Sequence, residues 1–240
     1  MPRFFLPGLC GERAVLTGED ARHIAKVLRM RPGEEITLCD TQGFDYRCLL
    51  EEVAPAEVCA RVLERRTSES ECRAEIVLYQ ALPKGDKLDF IVQKATELGV
   101  SAVVPVLTEH CVSRPDAKAM KNKTERLQRI ALEAAKQCGR GKIPQIRPLE
   151  TFLEAVTGMK QAHTAILCYE KATAPLSGMV EAGASTIALM VGSEGGFAPE
   201  EAHFAEEQGV RLASLGKRIL RCETAPVSAL SVILCKTGEM

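Results

Sequence analysis

From residue 74 to the C-terminus, short apolar runs alternate with segments of helical spacing, and this alternation narrows the possible folds more than any other feature. The apolar runs fall at 74–82, 102–107, 165–169, 186–191 and 210–214. Over 86–98, Leu88, Ile91, Val92, Ala95 and Leu98 recur at helical spacing as one apolar stripe. A longer helix is predicted over 120–138, with Leu127, Ile130, Ala131 and Ala134 inward, and a last one over 224–236. Strands separated by helices pair in parallel, because each crossover returns the chain to the same end of the sheet. This part of the chain reads as α/β, a mostly parallel sheet covered by helices.

The first seventy residues follow another rule. Short β-prone segments at 3–6, 14–16, 35–39, 44–53 and 58–63 are separated by turns such as Thr41-Gln42-Gly43 and Ala54-Pro55-Ala56-Glu57. One helix interrupts them. The spacing of Thr17 and Asp20 has the form of a capping box, Ile24, Val27 and Leu28 lie on one face, and Arg31-Pro32-Gly33 ends it. Regularly spaced short strands suggest a closed or half-closed barrel. The charged and hydroxyl-rich stretch 64–71 reads as a linker, which divides the chain into domains 1–70 and 71–240.

Composition excludes several classes. No run of eighteen apolar residues occurs, and no basic segment followed by an apolar one opens the chain, so a soluble, cytoplasmic protein without a membrane partner is expected. The ten cysteines are widely spread, with no two at the close spacing of metal ligands, and no metal site is expected. Cys39, Cys48, Cys168 and Cys235 lie in apolar segments, where a thiol behaves as a small hydrophobe, and Cys10 falls under the same reading. The net charge is only −1, but residues 114–147 carry ten basic residues against three acidic ones. Such a local basic stripe fits either a nucleic-acid footprint or a solvated helix face.

At the end of the 186–191 strand the chain reads Gly192-Ser-Glu-Gly-Gly-Phe197, and after the 210–214 strand Leu215-Gly-Lys-Arg-Ile-Leu-Arg221. Ligands of parallel α/β sheets sit beyond the carboxyl ends of the strands. Glycines let main-chain N–H and C=O groups approach a flat ligand edge. Neither phosphate-binding glycine pattern is present, and Glu194 would repel a pyrophosphate. The loops therefore favour a ligand with little negative charge or with a positive centre, unless they serve only to end their strands. The histidines, His23, His110, His163 and His203, are scattered and suggest no hydrolytic triad.

The two glycine loops, the second continuing to Ala225, resemble the paired signature of the RsmE family, the 16S ribosomal RNA uridine-N3 methyltransferases of the SPOUT superfamily. Pro2-Arg-Phe-Phe5, His23-Ile-Ala-Lys-Val-Leu-Arg29, Gln80-Ala-Leu-Pro-Lys-Gly-Asp-Lys87, Gln93-Lys-Ala-Thr-Glu-Leu-Gly99 and Gln137-Cys-Gly-Arg140 are similar to the family pattern in the same order. Ser193 stands where many members carry proline, and Cys222 occupies a variable slot. The resemblance implies a PUA-like RNA-binding β-barrel followed by a trefoil-knot domain that binds S-adenosylmethionine. It also implies a homodimer formed through the knotted domain, with 16S rRNA of the small subunit as partner and no DNA.

By the same resemblance, Leu167, Val191, Gly192, Gly195, Gly196, Leu215, Gly216, Ile219, Leu220, Thr224 and Ala225 hold the cofactor. Arg3, His23, Arg29, Lys84, Lys94 and Arg140 are the expected RNA contacts, although His23 and Arg29 could equally pack locally. Uracil N3 has no in-plane lone pair until its proton leaves, and the resulting charge spreads onto O2 and O4. Catalysis then needs a donor near a carbonyl oxygen, for which Arg221 is chosen, and a proton acceptor, either Glu223 or Glu194. Glu223 has a second reading as the cap of the final helix. Aromatic residues make up 4% of the chain, so RNA recognition should rest on backbone charge and shape rather than stacking.

Overall fold

The computed structural model describes residues 1–9 and 11–240, and Cys10 lies outside the described residues. The chain divides into two compact units: Met1–Glu71 with Ala135–Ile143, and Cys72–Ala134 with Pro144–Met240.

Among the described residues, the first unit is built on β1 (Arg3–Phe5), β2 (Arg13–Thr17), β3 (Glu35–Cys39), β4 (Phe44–Val53) and β5 (Glu57–Thr67). They pair in the order β1-β3-β4-β5-β2, antiparallel except for β1 on β3. Two register shifts in the β4–β5 ladder, at Arg47/Cys48 and Leu50/Glu52, add local twist and curl the sheet. The result is a half-barrel whose inner face buries Phe4, Leu16, Ile36, Leu38, Leu50 and Val58, with Ile24 packed against them. The β3–β4 turn is held by Asp40, whose Oδ1 accepts from the amides of Gln42 (2.7 Å) and Phe44 (3.1 Å).

Three expectations are corrected here. The helix α1 (Gly18–Arg22) starts after Thr17, yet Thr17 makes no side-chain cap. It then widens into a π-helical turn over His23–Val27, where Leu28 N–H reaches back five residues to the His23 carbonyl. That wider turn rotates the apolar face, so Val27 (69% exposed) and Leu28 (40%) point to solvent while Ile24 stays buried. The supposed linker is also largely structured. Residues 64–67 continue β5 against β4, with the Arg65 guanidinium 3.7 Å from the Phe44 ring centroid. Glu71 is half-buried and tied into this unit: it accepts from Arg140 Nη2 (2.7 Å) and from the amides of Gly141 (2.9 Å) and Lys142 (3.0 Å).

The second unit contains β6 (Glu75–Ala81), α2 (Lys87–Glu97), β7 (Ala102–Leu107), α3 (Ala117–Cys138, its end grouping with the first unit), β8 (Gln145–Ile146) and β9 (Glu150–Thr151). Next come α4 (Phe152–Met159), β10 (Thr164–Cys168), β11 (Thr186–Val191), α5 (Pro199–Glu207), β12 (Arg211–Ala213) and α6 (Thr224–Thr237). The sheet runs β12-β10-β11-β6-β7-β8, with β9 on β7, and every pairing is parallel. The chain thus passes from β6 outward to β8, crosses to β10, and inserts β11 between β10 and β6. Capping follows local chemistry. Thr151 and Glu154 form a reciprocal box at α4, and Pro199 opens α5 while Glu201 accepts from the Ala198 amide.

Burial treats the cysteines unequally. Cys39 and Cys48 pack inside and Cys168 is partly buried, and burial pushes their thiols up to about 12, about 11 and about 12, so they stay protonated. Cys235 is exposed on α6, contrary to its apolar setting in the sequence. Among the described residues, no helix is long and apolar enough to cross a membrane.

Candidate active site

Because β10, β11 and β12 lie side by side and parallel, their carboxyl ends share one edge of the sheet. The stretch after β10 is zipped onto β12: Tyr169 N–H donates to the Ala213 carbonyl (2.9 Å), Leu176 N–H to Ser214 (3.1 Å) and Ser214 N–H to Ala174 (2.8 Å). The loops after the three strands enclose a cleft of about 290 Å³. A cleft of that size at that edge suits a small organic ligand.

The 192–196 loop is held from several sides. Gln80, fully buried at the end of β6, donates from Nε2 to the carbonyls of Gly192 (3.2 Å) and Ala81 (3.1 Å). His110 Nδ1 lies 2.8 Å from the Gly195 carbonyl oxygen and donates to it in the Nδ1–H tautomer. A Cβ on Gly195 would stand 2.7 Å from His110 Cβ, so only glycine allows this approach. Gly196 has φ +64°, with the Glu170 carboxylate 3.2 Å from where its Cβ would be.

Charge completes the clasp. Glu194 Oε1 accepts from Lys87 Nζ (2.7 Å) and from the Lys84 amide (3.1 Å), and Lys87 Nζ also stands 3.8 Å from Glu223 Oε2. Burial works to raise the Glu194 carboxyl, but Lys87 and the backbone amides of Glu194 and Lys84 outweigh it and hold it below the usual range. The Lys87 ammonium is raised, chiefly by the same hydrogen bond. The stabilisation is therefore full between the ordinary carboxylate and lysine ranges. It fades as pH falls through the depressed Glu194 value or rises through the raised Lys87 value. Lys87→Met is expected to lower Tm at about pH 7 by a margin that shrinks toward about pH 3. A margin constant over that range in thermal melts would show that the lysine acts through packing instead.

Glu223 is the residue before α6 but caps no amide of the helix's first turn with its side chain. It accepts from Cys222 Sγ (3.2 Å), which together with its own amide keeps its carboxyl low, with smaller help from Lys87 and Arg221. Burial, then the bond to Glu223, pushes the Cys222 thiol up to about 12. The helix-cap reading is thus replaced by a Lys87, Glu194, Glu223 and Cys222 cluster beside the cleft.

Of the residues expected to hold a cofactor, Val191, Gly192, Gly195, Gly196, Leu215, Gly216, Ile219, Leu220 and Ala225 line this cleft, as does Glu194. Leu167 is buried inside β10, and Thr224 is exposed and does not line the cleft. Arg221 is exposed between the lining residues Leu220 and Cys222, and its guanidinium makes no hydrogen bond among the described residues. Sequence reasoning missed Tyr169 and Glu170, which follow β10, and Ser214, which follows β12. Their position directly after neighbouring parallel strands was the available signal. The Ser193 hydroxyl is buried with no hydrogen-bond partner among the described residues.

The expected RNA contacts divide. His23 and Arg29 are exposed at the π-helical turn, His23 lying edge-on to the Phe4 ring and Arg29 at φ +53°. Lys84 is exposed, and Lys94 is paired with Glu97 at 2.8 Å. Arg3 and Arg140 are each engaged by a carboxylate of the first unit. Arg140 is engaged by Glu71, and Arg3 grips Asp45 through two bonds (2.9 and 2.8 Å). Removing Arg3 strands a carboxylate that is 3% exposed. Arg3→Ala should therefore cost about 3–5 kcal/mol in chemical denaturation. A pure RNA contact would leave stability unchanged. The basic stripe is likewise partly spent, Arg126 pairing with Asp89 (2.9 Å) and Asp86 (3.5 Å), while Lys118 and Lys121 stay exposed.

Comparison with known proteins agrees with this architecture. Residues 70–234 match the family model described as RNA methyltransferase domain, and residues 16–63 match that of the RNA methyltransferase PUA domain. The chain is 35% identical to ribosomal RNA small subunit methyltransferase E of Bacillus subtilis, over 92% of this chain and 90% of that one. It is also 35% identical to the protein of that name from Synechocystis, over 91% and 71% of the two chains. Among solved structures, ribosomal RNA small subunit methyltransferase E from Neisseria gonorrhoeae, bound to S-adenosyl methionine, superposes with a TM-score of 0.88 at 34% identity, over 98% of this chain and 97% of that one. The expected architecture therefore holds: a PUA-like half-barrel followed by an α/β RNA methyltransferase domain on a parallel sheet. With both family models matched and the relatives aligned nearly end to end, the chain belongs to the ribosomal RNA small subunit methyltransferase E family.

Proposed function

We propose that this protein methylates N3 of a uridine in 16S ribosomal RNA of the small subunit, with S-adenosylmethionine as donor. The observation that carries this reading is the cleft formed where β10, β11 and β12 end, walled by main chain and flanked by the exposed Arg221. The residues suit the donor. Gly192 and Gly195 keep the wall free of side chains, Val191, Leu215 and Leu220 provide apolar cover, and the Ser193 hydroxyl offers an unused polar group. When bound, the donor supplies a methyl group activated by a sulfonium cation.

The protein's own groups do the rest. Arg221 offers N–H donors to the carbonyl oxygen on which charge gathers as N3 loses its proton. Glu194 is committed to Lys87 and the Lys84 amide, which supports a holding role for it. Glu223, with fewer commitments, is the proton acceptor in this proposal, directly or through water. Both carboxyls are held low, so neither is a strong base, and turnover rests on stabilising the uridine anion. His23, Arg29, Lys84 and the exposed lysines of α3 position RNA through phosphate contacts.

The remaining parts of the reading are domains bounded at 1–70 and 71–240, a cytoplasmic location, and a homodimer formed through the knotted domain. Ile219, apolar and 87% exposed beside the cleft, supports the last of these. The test is incubation with labelled S-adenosylmethionine and small subunits from cells lacking the protein, followed by nucleoside analysis. N3-methyluridine is the expected product; label on ribose, or none in RNA, would overturn the assignment.

A further inference from the structure

The cleft carries its charges on separate walls. Lys217 and Arg218 lie on the loop after β12, whereas the carboxylates are Glu170 after β10 and Glu194 after β11. Glu194 is neutralised by Lys87 at 2.7 Å. Glu170 has no hydrogen bond or ion pair among the described residues, and its Oε2 stands over Gly196, 3.2 Å from where a Cβ would be. The bare Gly196 thus leaves this carboxylate beside the cleft's glycine wall, with no ion pair to it among the described residues.

A lone carboxylate in a ligand cleft responds to the ligand's charge. Resting on the donor assigned above, we propose that Glu170 makes the cleft charge-selective, favouring the cationic methyl donor over the demethylated product. The two ligands share adenine, ribose and amino-acid groups and differ by the methyl group and by the positive charge on sulfur. Contacts to the shared groups hold both ligands alike. A carboxylate acting on the sulfur charge attracts only the donor, and it ceases to hold the ligand once the methyl group has left, which favours product release.

The test is calorimetry of S-adenosylmethionine and S-adenosylhomocysteine with the full-length protein at fixed pH and low salt, for wild type, Glu170→Gln and Glu170→Asp. Glu170→Gln should cut the preference for the donor by about fivefold, in line with one partly exposed charge pair, while product affinity stays within about twofold. Glu170→Asp, which keeps the charge, should retain most of the preference. Equal weakening of both ligands by Glu170→Gln would mean that the side chain touches the shared groups, and would overturn charge selection. An unchanged preference would overturn it too. A wild type that binds neither ligand would instead remove the donor assignment itself, and this inference with it.

Discussion

Replacing Gly195 with valine is expected to weaken S-adenosylmethionine binding by about tenfold to a hundredfold while leaving the fold intact. The glycine sits where the loop after β11 passes the backbone that follows β7. Its Cβ position lies 2.7 Å from His110 Cβ and 3.4 Å from the His110 carbonyl oxygen. Neither atom is the free end of a flexible side chain, so the loop itself has to move. Overpacking of this kind costs about 1–3 kcal/mol, and each 1.4 kcal/mol is about tenfold in affinity. Displacement also breaks the 2.8 Å contact between His110 and the Gly195 carbonyl and misaligns the main-chain wall of the cleft. Gly195 itself is exposed, and the sheet beneath is packed by Val191 and Phe197, so circular dichroism should be unchanged. Calorimetry that finds wild-type affinity in the valine variant would show that this loop does not form the binding wall.

Much of the second unit is legible in the sequence because its strands and helices are set by local periodicity. The run at 186–191 coincides with β11, and the stripe from Leu88 to Ala95 is the buried face of α2. Strand order is another matter. Nothing in the spacing of apolar residues says that β11 inserts between β10 and β6. The misreadings have physical causes of a similar kind. Val27 and Leu28 keep helical spacing, but a π-helical turn adds a residue per turn and rolls them outward. Arg140 looks like part of a basic surface until it meets Glu71, 69 residues away in sequence. At the cleft, the two glycine-marked walls were found, while the third, Tyr169 and Glu170, carries no glycine to announce it. Position after a parallel strand, rather than composition, is what marks that wall.

Arg221→Ala should lower kcat by about a hundredfold to a thousandfold while leaving stability and donor affinity nearly unchanged. The stability half of the prediction follows from how the residue is held. The Arg221 carbonyl accepts the amides of Thr224 and Ala225, both at 2.9 Å, and so starts α6 with main-chain atoms that alanine retains. Its exposed guanidinium makes no hydrogen bond among the described residues, so truncation strands no buried partner. The catalytic half rests on charge. Glu194 and Glu223 are both held low and are weak bases, so loss of the N3 proton depends on a cation at the oxygen where negative charge collects. Lysine at 221 keeps the charge but not the planar fork, and should recover only part of the rate. A kcat loss that shrinks as pH rises toward the ordinary uridine range would match a role in stabilising the anion. An Arg221→Ala variant with wild-type kcat would remove the arginine from the mechanism and leave the low carboxylates to explain turnover alone.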